Sequence, residues 1–288
     1  MRTTPYLRTD QIQRLFWQES SGGTWGRVKA CQRRLALLTQ HGYVRRLEQP
    51  VTRREKSKPY LYALDRRGAQ LLVTELGIEP GEIEWKPRSQ EAQFPFLEHL
   101  SATVDFRIGL VEACAATGIE LNAWMDEREL KRAQNVDRVE LVSPQGNVVN
   151  AAVVPDAYFM LCRDDKCAVF FLEVDLMTVT IEPSKWERRG WMRRIRAYNA
   201  YFRTDAFYHR YEGRQARVLT VTGSQRRLEH LKQATERVFA ELRAAGEDAS
   251  FEDNFWFGLL TPEPTGMALL TEPRWSVAGA DERRAMLE

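Results

Sequence analysis

The segment FFLEVDL, residues 170–176, constrains the fold more than any other stretch of the chain. Side chains alternate along a strand, so Phe170, Leu172, Val174 and Leu176 share one face. Phe171, Glu173 and Asp175 share the other. A short apolar run of this kind predicts a buried strand. Two carboxylates on a buried face are too costly to leave uncompensated. The fold must therefore bring a metal, a cation or an open cleft to Glu173 and Asp175.

The preceding residues narrow the choice. A hairpin turn centred on Asp164-Asp165, in CRDDKC, would set Cys162 opposite Cys167, Met160 opposite Val169, Tyr158 opposite Phe171 and Asp156 opposite Glu173. Opposed side chains in an antiparallel pair lie about 5 Å apart at Cβ. Asp156, Glu173 and Asp175 are then expected to converge, a donor set suited to Mg²⁺ or Mn²⁺. The helix expected from about Ser184 to Tyr201 turns Trp191, Ile195, Tyr198 and Phe202 inward. It also offers Lys185 to hold a phosphate or orient a water, or, with Arg188 and Arg189, to neutralise the acids. Cys162 and Cys167 lack the further ligands a zinc site needs and are expected as reduced thiols. His99, Trp186 and Trp191 read as structural, and Glu112 as part of a solvated face rather than a further metal ligand.

Charge is distributed unevenly. Residues 1–75 hold 15 Lys and Arg against 6 acids, and the remainder holds 27 against 34. A basic front segment points to a polyanionic partner. There, Thr9 is expected to cap a helix beginning DQIQRLFW. In TWGRVKACQRRLALLTQHGY, Val28, Cys31, Leu35 and Leu38 make an apolar stripe. Lys29, Gln32 and Arg33 fall on the outer side, and Gly42 suits a left-handed stop. YVRRLEQPV and YLYALD then read as a ribbon with Arg53, Arg54, Lys56 and Lys58 at its tip, closed by the helix RRGAQLLVTEL. Helices followed by a basic hairpin is the order of a winged helix-turn-helix. Its long helix would enter the major groove of double-stranded DNA, and its wing would lie on phosphates.

The domains expected are residues 1–76, a linker over 77–96 rich in proline and glycine, and residues 97–288. Beyond the linker, a helix with Leu100, Val104, Ile108, Leu110 and Val111 inward leads into a strand meander, then helix, strand, helix and strand. That is a mixed central sheet covered by helices. Residues after Thr261 show little pattern. An apolar content of 43% and no apolar run near 20 residues exclude a helical membrane span. No secretory signal opens the chain, and four cysteines make no disulfide framework, so the cytoplasm is expected. No glycine-rich phosphate loop, HExxH or GxSxG appears, so nucleotide hydrolysis and acyl transfer have no support.

Two resemblances follow from these motifs. PD, an acid-x-acid strand and a following helix resemble the PD-(D/E)XK nuclease core, an α/β unit in which the acids hold a metal and a lysine helps to activate water. Asp156 and Glu173 match it. Asp175 stands where the lysine belongs, and Lys185 is the substitute on the next helix. Across residues 7–222, the ordered segments LRTDQIQRLF, RRLALLTQHGYV, YLYALDRRGAQLL, LEHLSATVDF, VVPDAYFML and FFLEVDLMT resemble the replication-relaxation family of plasmids and other mobile elements. The resemblance implies an α+β chain, a winged helix followed by a nuclease-like domain, working in replication and DNA relaxation. If active as a nickase, it would use Asp156, Glu173, Asp175 and Lys185 with Mg²⁺ or Mn²⁺. The alternative is a non-catalytic transcriptional or copy-number regulator whose second domain forms a homodimer or docks replication or relaxase proteins.

Overall fold

A computed structural model describes residues 6–17, 24–49, 57–79, 83, 94–132, 136–143, 146–177, 179–181, 190–214, 216–260 and 266–286. The chain divides into two compact units, Met1–Ile108 and Gly109–Glu288. The architecture is α+β, with a three-stranded antiparallel sheet in the first unit and a seven-stranded mixed sheet in the second.

The first unit runs β1 (Leu7–Arg8), α1 (Thr9–Phe16), α2 (Thr24–Gln40), β2 (Val44–Leu47), β3 (Leu61–Leu64), α3 (Arg66–Leu76) and the opening turns of α4 (Phe94–Thr117). Its sheet order is β1-β3-β2. The inner half of the α2 stripe packs as its spacing requires: Cys31 and Leu35 are buried against Leu7, Ile12, Tyr62, Val104 and Ile108, while Val28 and Leu38 are only half-buried. Gly42, at φ +71°, ends the helix. Gly68 is fixed by contact, because a Cβ there would lie 2.1 Å from the Tyr43 carbonyl oxygen. Arg8, not Thr9, is the N-cap residue of α1. The side chain of Gln11 reaches back to accept from the Arg8 N–H at 2.9 Å, which satisfies an end that Thr9 was expected to cap.

The division between units falls inside α4, and a polar network holds that helix's first half to α1. Arg8 grips Asp105 through two hydrogen bonds, of 2.8 and 2.9 Å, and donates to Ser101 Oγ at 2.7 Å. Gln11 is fully buried and donates to the Ser101 carbonyl and to Asp105 Oδ1, both at 2.9 Å. Arg8 also binds Asp10. Burial alone would raise the Asp10 carboxyl, but the hydrogen bond and charge of Arg8 bring it below its ordinary value. A depressed folded-state pKa contributes stability above the unfolded value, about 3.9, and loses it as pH falls through the folded value. The stability difference between the wild type and Asp10→Asn should therefore shrink below about pH 4 in acid titrations followed by circular dichroism.

The second unit continues through β4 (Glu120–Asp126), α5 (Glu127–Arg132), β5 (Asp137–Val142), β6 (Val148–Val153), β7 (Ala157–Arg163), β8 (Lys166–Asp175), α6 (Trp191–Tyr201), α7 (Asp205–Tyr211), β9 (Ala216–Thr222), α8 (Gln225–Ala244), β10 (Phe255–Leu259), α9 (Ala268–Thr271), β11 (Trp275–Val277) and β12 (Arg283–Arg284). The sheet order is β12-β11-β10-β9-β8-β7-β4. Strands β8, β9 and β10 are mutually parallel, and both flanks are antiparallel. β5 and β6 form a separate hairpin whose Val139, Leu141, Ala151 and Val153 join the core around Trp191, Ile195 and Tyr198 of α6.

The structure corrects several details. The run NVVNAAVVPDAYFML is two strands, because β6 pairs with β5 while β7 pairs with β4 and β8. Val111 is exposed, not inward. The segment after Thr261 supplies α9 and the last two strands on one side of the sheet, β11 and the edge strand β12. Cys162 and Cys167 are joined in a disulfide and are not two thiols. They are opposed in the ladder with Cα atoms 4.2 Å apart, a local proximity that overall cysteine usage does not reveal. Lys185, Trp186, Arg188 and Arg189 lie outside the described residues, as do Arg53, Arg54 and Lys56.

Candidate functional site

The β7–β8 register is the one a turn at Asp164-Asp165 requires: Tyr158 faces Phe171, Met160 faces Val169 and Cys162 faces Cys167. Asp156 stands just before β7. Its N–H donates to the Leu172 carbonyl, and its Oδ2 accepts from the Val174 N–H at 2.7 Å. Glu173 and Asp175 are 1% and 3% exposed on β8. They face Thr220 and Thr222 of the parallel neighbour β9.

Each of the two strand acids is engaged by an arginine from a covering helix. Arg194 of α6 pairs with Glu173 Oε2. Tyr198, one turn further on, donates to Oε1 at 2.7 Å. Arg227 of α8 grips Asp175 through Nε at 2.7 Å and Nη2 at 3.0 Å. Thr222 Oγ1 and the Met177 N–H complete that carboxylate, at 3.4 and 3.3 Å. Arg227 also donates to the Val179 carbonyl. The charge of Glu173 raises Arg194 further above its usual range. Burial, then the Glu173 charge, pushes the Tyr198 hydroxyl well up, so it stays protonated and donates.

This geometry tests the fit of a divalent ion. Such an ion needs carboxylate oxygens that converge with lone pairs to spare. Here all four oxygens of Glu173 and Asp175 already accept from protein donors. Among the described residues, no group of three or more His, Cys, Asp or Glu side chains is arranged to hold a metal ion. In this arrangement the acids fit guanidinium partners and not Mg²⁺ or Mn²⁺.

Sequence reading missed Arg194, Tyr198, Thr222 and Arg227. Part of the signal was available. Trp191, Arg194 and Tyr198 lie at i, i+3 and i+7, which puts Arg194 beside the buried stripe of α6. Arg227 sits three residues after Ser224, whose hydroxyl caps α8 at the end of β9.

In the first unit, α2 turns a basic face outward. Lys29, Gln32, Arg33 and Arg34 are exposed. Trp25 is 72% exposed, and Lys29 Nζ lies 3.6 Å above its ring. At the base of the β2–β3 ribbon, Arg46 covers the Tyr60 ring at 4.4 Å. Lys58 is paired with Glu98 at 2.9 Å. No helix among the described residues is long and apolar enough to cross a membrane.

A family model described as replication-relaxation matches residues 2–218. No curated protein and no solved structure matches the chain at a significant level.

Proposed function

The chain belongs to the replication-relaxation family, and on that premise we propose that it is a cytoplasmic DNA-binding protein of a plasmid or other mobile element, acting in replication and DNA relaxation. Its first unit is read as a winged helix that holds double-stranded DNA. Its second unit is read as a degenerate nuclease-like domain for dimerisation or docking of a replication or relaxase protein.

One observation carries the second half of this reading. Of the two positions that match the nuclease acids, Glu173 is engaged by Arg194 and Tyr198, and Asp175, at the lysine position, is gripped by Arg227. A carboxylate whose oxygens accept from guanidinium and hydroxyl donors has less to offer the metal that would polarise a phosphate and activate a water. Incubating the full chain with supercoiled plasmid and Mg²⁺ or Mn²⁺ should give no nicked product above that of Glu173→Ala. Nicking that Glu173→Ala abolishes would restore the nickase reading.

The first half is supported by charge and topology. The two helices between β1 and β2, the β1-β3-β2 sheet and the exposed cations of α2 suit a major-groove helix. Lys29→Ala and Arg33→Ala should each weaken binding to a preferred duplex by about 1–3 kcal/mol where the side chain reaches a base edge. Binding to random duplex should fall less, and the salt dependence should flatten slightly. Gel shifts at two salt concentrations measure both. Unchanged affinity in both variants would move the interface off α2.

A further inference from the structure

The second unit carries a chemistry apart from the acid–arginine pairs. Cys162 and Cys167 are directly opposed across a two-residue turn. The turn residues Asp164 and Asp165, and Arg163 and Lys166 beside them, are all exposed. The ladder places the two sulfurs together by backbone pairing, from Arg163↔Lys166 at the tip to Ala157↔Leu172 at the other end. Formation or cleavage of the bond therefore demands no rearrangement of the strands. Arg163 and Lys166 flank the cysteines in sequence and favour the thiolate that exchange requires, against the opposing charge of Asp164 and Asp165 in the turn. A cavity of about 600 Å³ opens beside the same tip, with Arg163, Lys166, Arg217, Asp164, Asp165 and both cysteines in its lining. Its three cations against two acids leave a small positive excess for an anionic reagent.

The other two cysteines have the opposite surroundings. Cys31 and Cys114 are both buried and free. Burial raises both thiols, that of Cys114 to about 11. Neither is set up to compete. Within the pair, Cys162 is buried while Cys167 is part exposed, which makes Cys167 the residue that meets a reagent.

We infer that Cys162 and Cys167 form a reversible redox-modification site, closed by a low-molecular-weight anionic disulfide of the glutathione type, with Cys167 reacting first. The Cys167 thiolate attacks one sulfur of the reagent, making a mixed disulfide and expelling one thiolate. The Cys162 thiolate then attacks the Cys167 sulfur and expels the second. Two electrons pass from the cysteine pair to the reagent, and the two protein thiol protons end on the two released thiols. Excess thiol reverses both steps. The bond fastens β7 to β8, so the redox state sets how firmly the hairpin that leads into Asp156 and Glu173 is held.

The test uses the reduced full chain in buffers of rising oxidised-to-reduced glutathione ratio, quenched with a polyethylene glycol maleimide. Two of the four thiols should disappear together, map to Cys162–Cys167 by peptide mass, and return in excess reduced glutathione. Cys162→Ser should accumulate glutathione on Cys167, and Cys167→Ser should take it up on Cys162 about tenfold more slowly, as its burial requires. If a serine variant fails to fold, the wild-type time course still identifies which cysteine first carries glutathione. Cys162 and Cys167 both remaining reactive to maleimide in fully oxidised glutathione would overturn the inference. So would earlier oxidation of Cys31 or Cys114, or first capture by Cys162.

Discussion

Asp105→Ala should unfold the first unit and abolish DNA binding by the full chain, although Asp105 is on α4 and not on the basic face of α2. The expected loss is about 3–5 kcal/mol, the range for breaking a largely buried, hydrogen-bonded ion pair by removing one partner. Arg8 would lose both bonds that grip the carboxylate and keep only Ser101 and the more exposed Asp10. Gln11, fully buried, would lose its Asp105 acceptor and keep only those of Ser101. Much of a small unit's stability would go with this single side chain. The network joins β1 and α1 to α4, and α4 supplies Val104 and Ile108 to the core that seats α2. Loss of the network should therefore release α2, the helix proposed to contact DNA, indirectly. Melting curves and gel shifts should fall together for Asp105→Ala, whereas Arg33→Ala should lower affinity and leave the melting temperature unchanged. An Asp105→Ala protein that melts normally yet fails to bind would instead place Asp105 at the DNA.

The two kinds of residue differ in how far sequence exposes them. Local periodicity was sufficient for the stripe of Cys31 and Leu35, for Gly42 as a helix stop, and for the β7–β8 register, because each depends on residues within about one element of each other. The same logic placed Trp191, Ile195, Tyr198 and Phe202 inward, and all four are buried. The partners that complete the polar sites were not legible. Arg8 and Asp105 are 97 residues apart, and Asp175 and Arg227 are 52 apart. A single chain offers 42 Lys and Arg as candidate partners for its acids, with nothing local to choose among them. FFLEVDL therefore announced that two buried carboxylates need compensation, but not whether a metal or a guanidinium supplies it. The short strands β11 and β12 escaped notice for another reason: at three and two residues they are too short for alternation to register.

Removing either strand acid should be costly, and the two costs should differ in a way that a metal site would not produce. Asp175→Ala leaves Arg227, whose side chain is 15% exposed, with the Val179 carbonyl as its remaining acceptor here, an expected loss of about 3–5 kcal/mol. Glu173→Ala should cost less, about 2 kcal/mol. Arg194 is 38% exposed and can turn toward water, so the main penalty is the buried Tyr198 hydroxyl left without its acceptor. Replacing the whole inner pair, Asp175→Leu with Arg227→Met, should recover most of the loss, since apolar side chains of similar volume need no compensation. None of these proteins should gain melting temperature from millimolar Mn²⁺ or Mg²⁺, because a ligand stabilises only a state that binds it. A metal site would give the reverse pattern. The wild type would melt higher with Mn²⁺, Glu173→Ala and Asp175→Ala would both lose that rise, and removing an acid without metal present would relieve repulsion and stabilise the fold. Because the two accounts assign opposite signs to the acid-to-alanine change in metal-free buffer, one set of melts separates a salt-bridged face from a catalytic one.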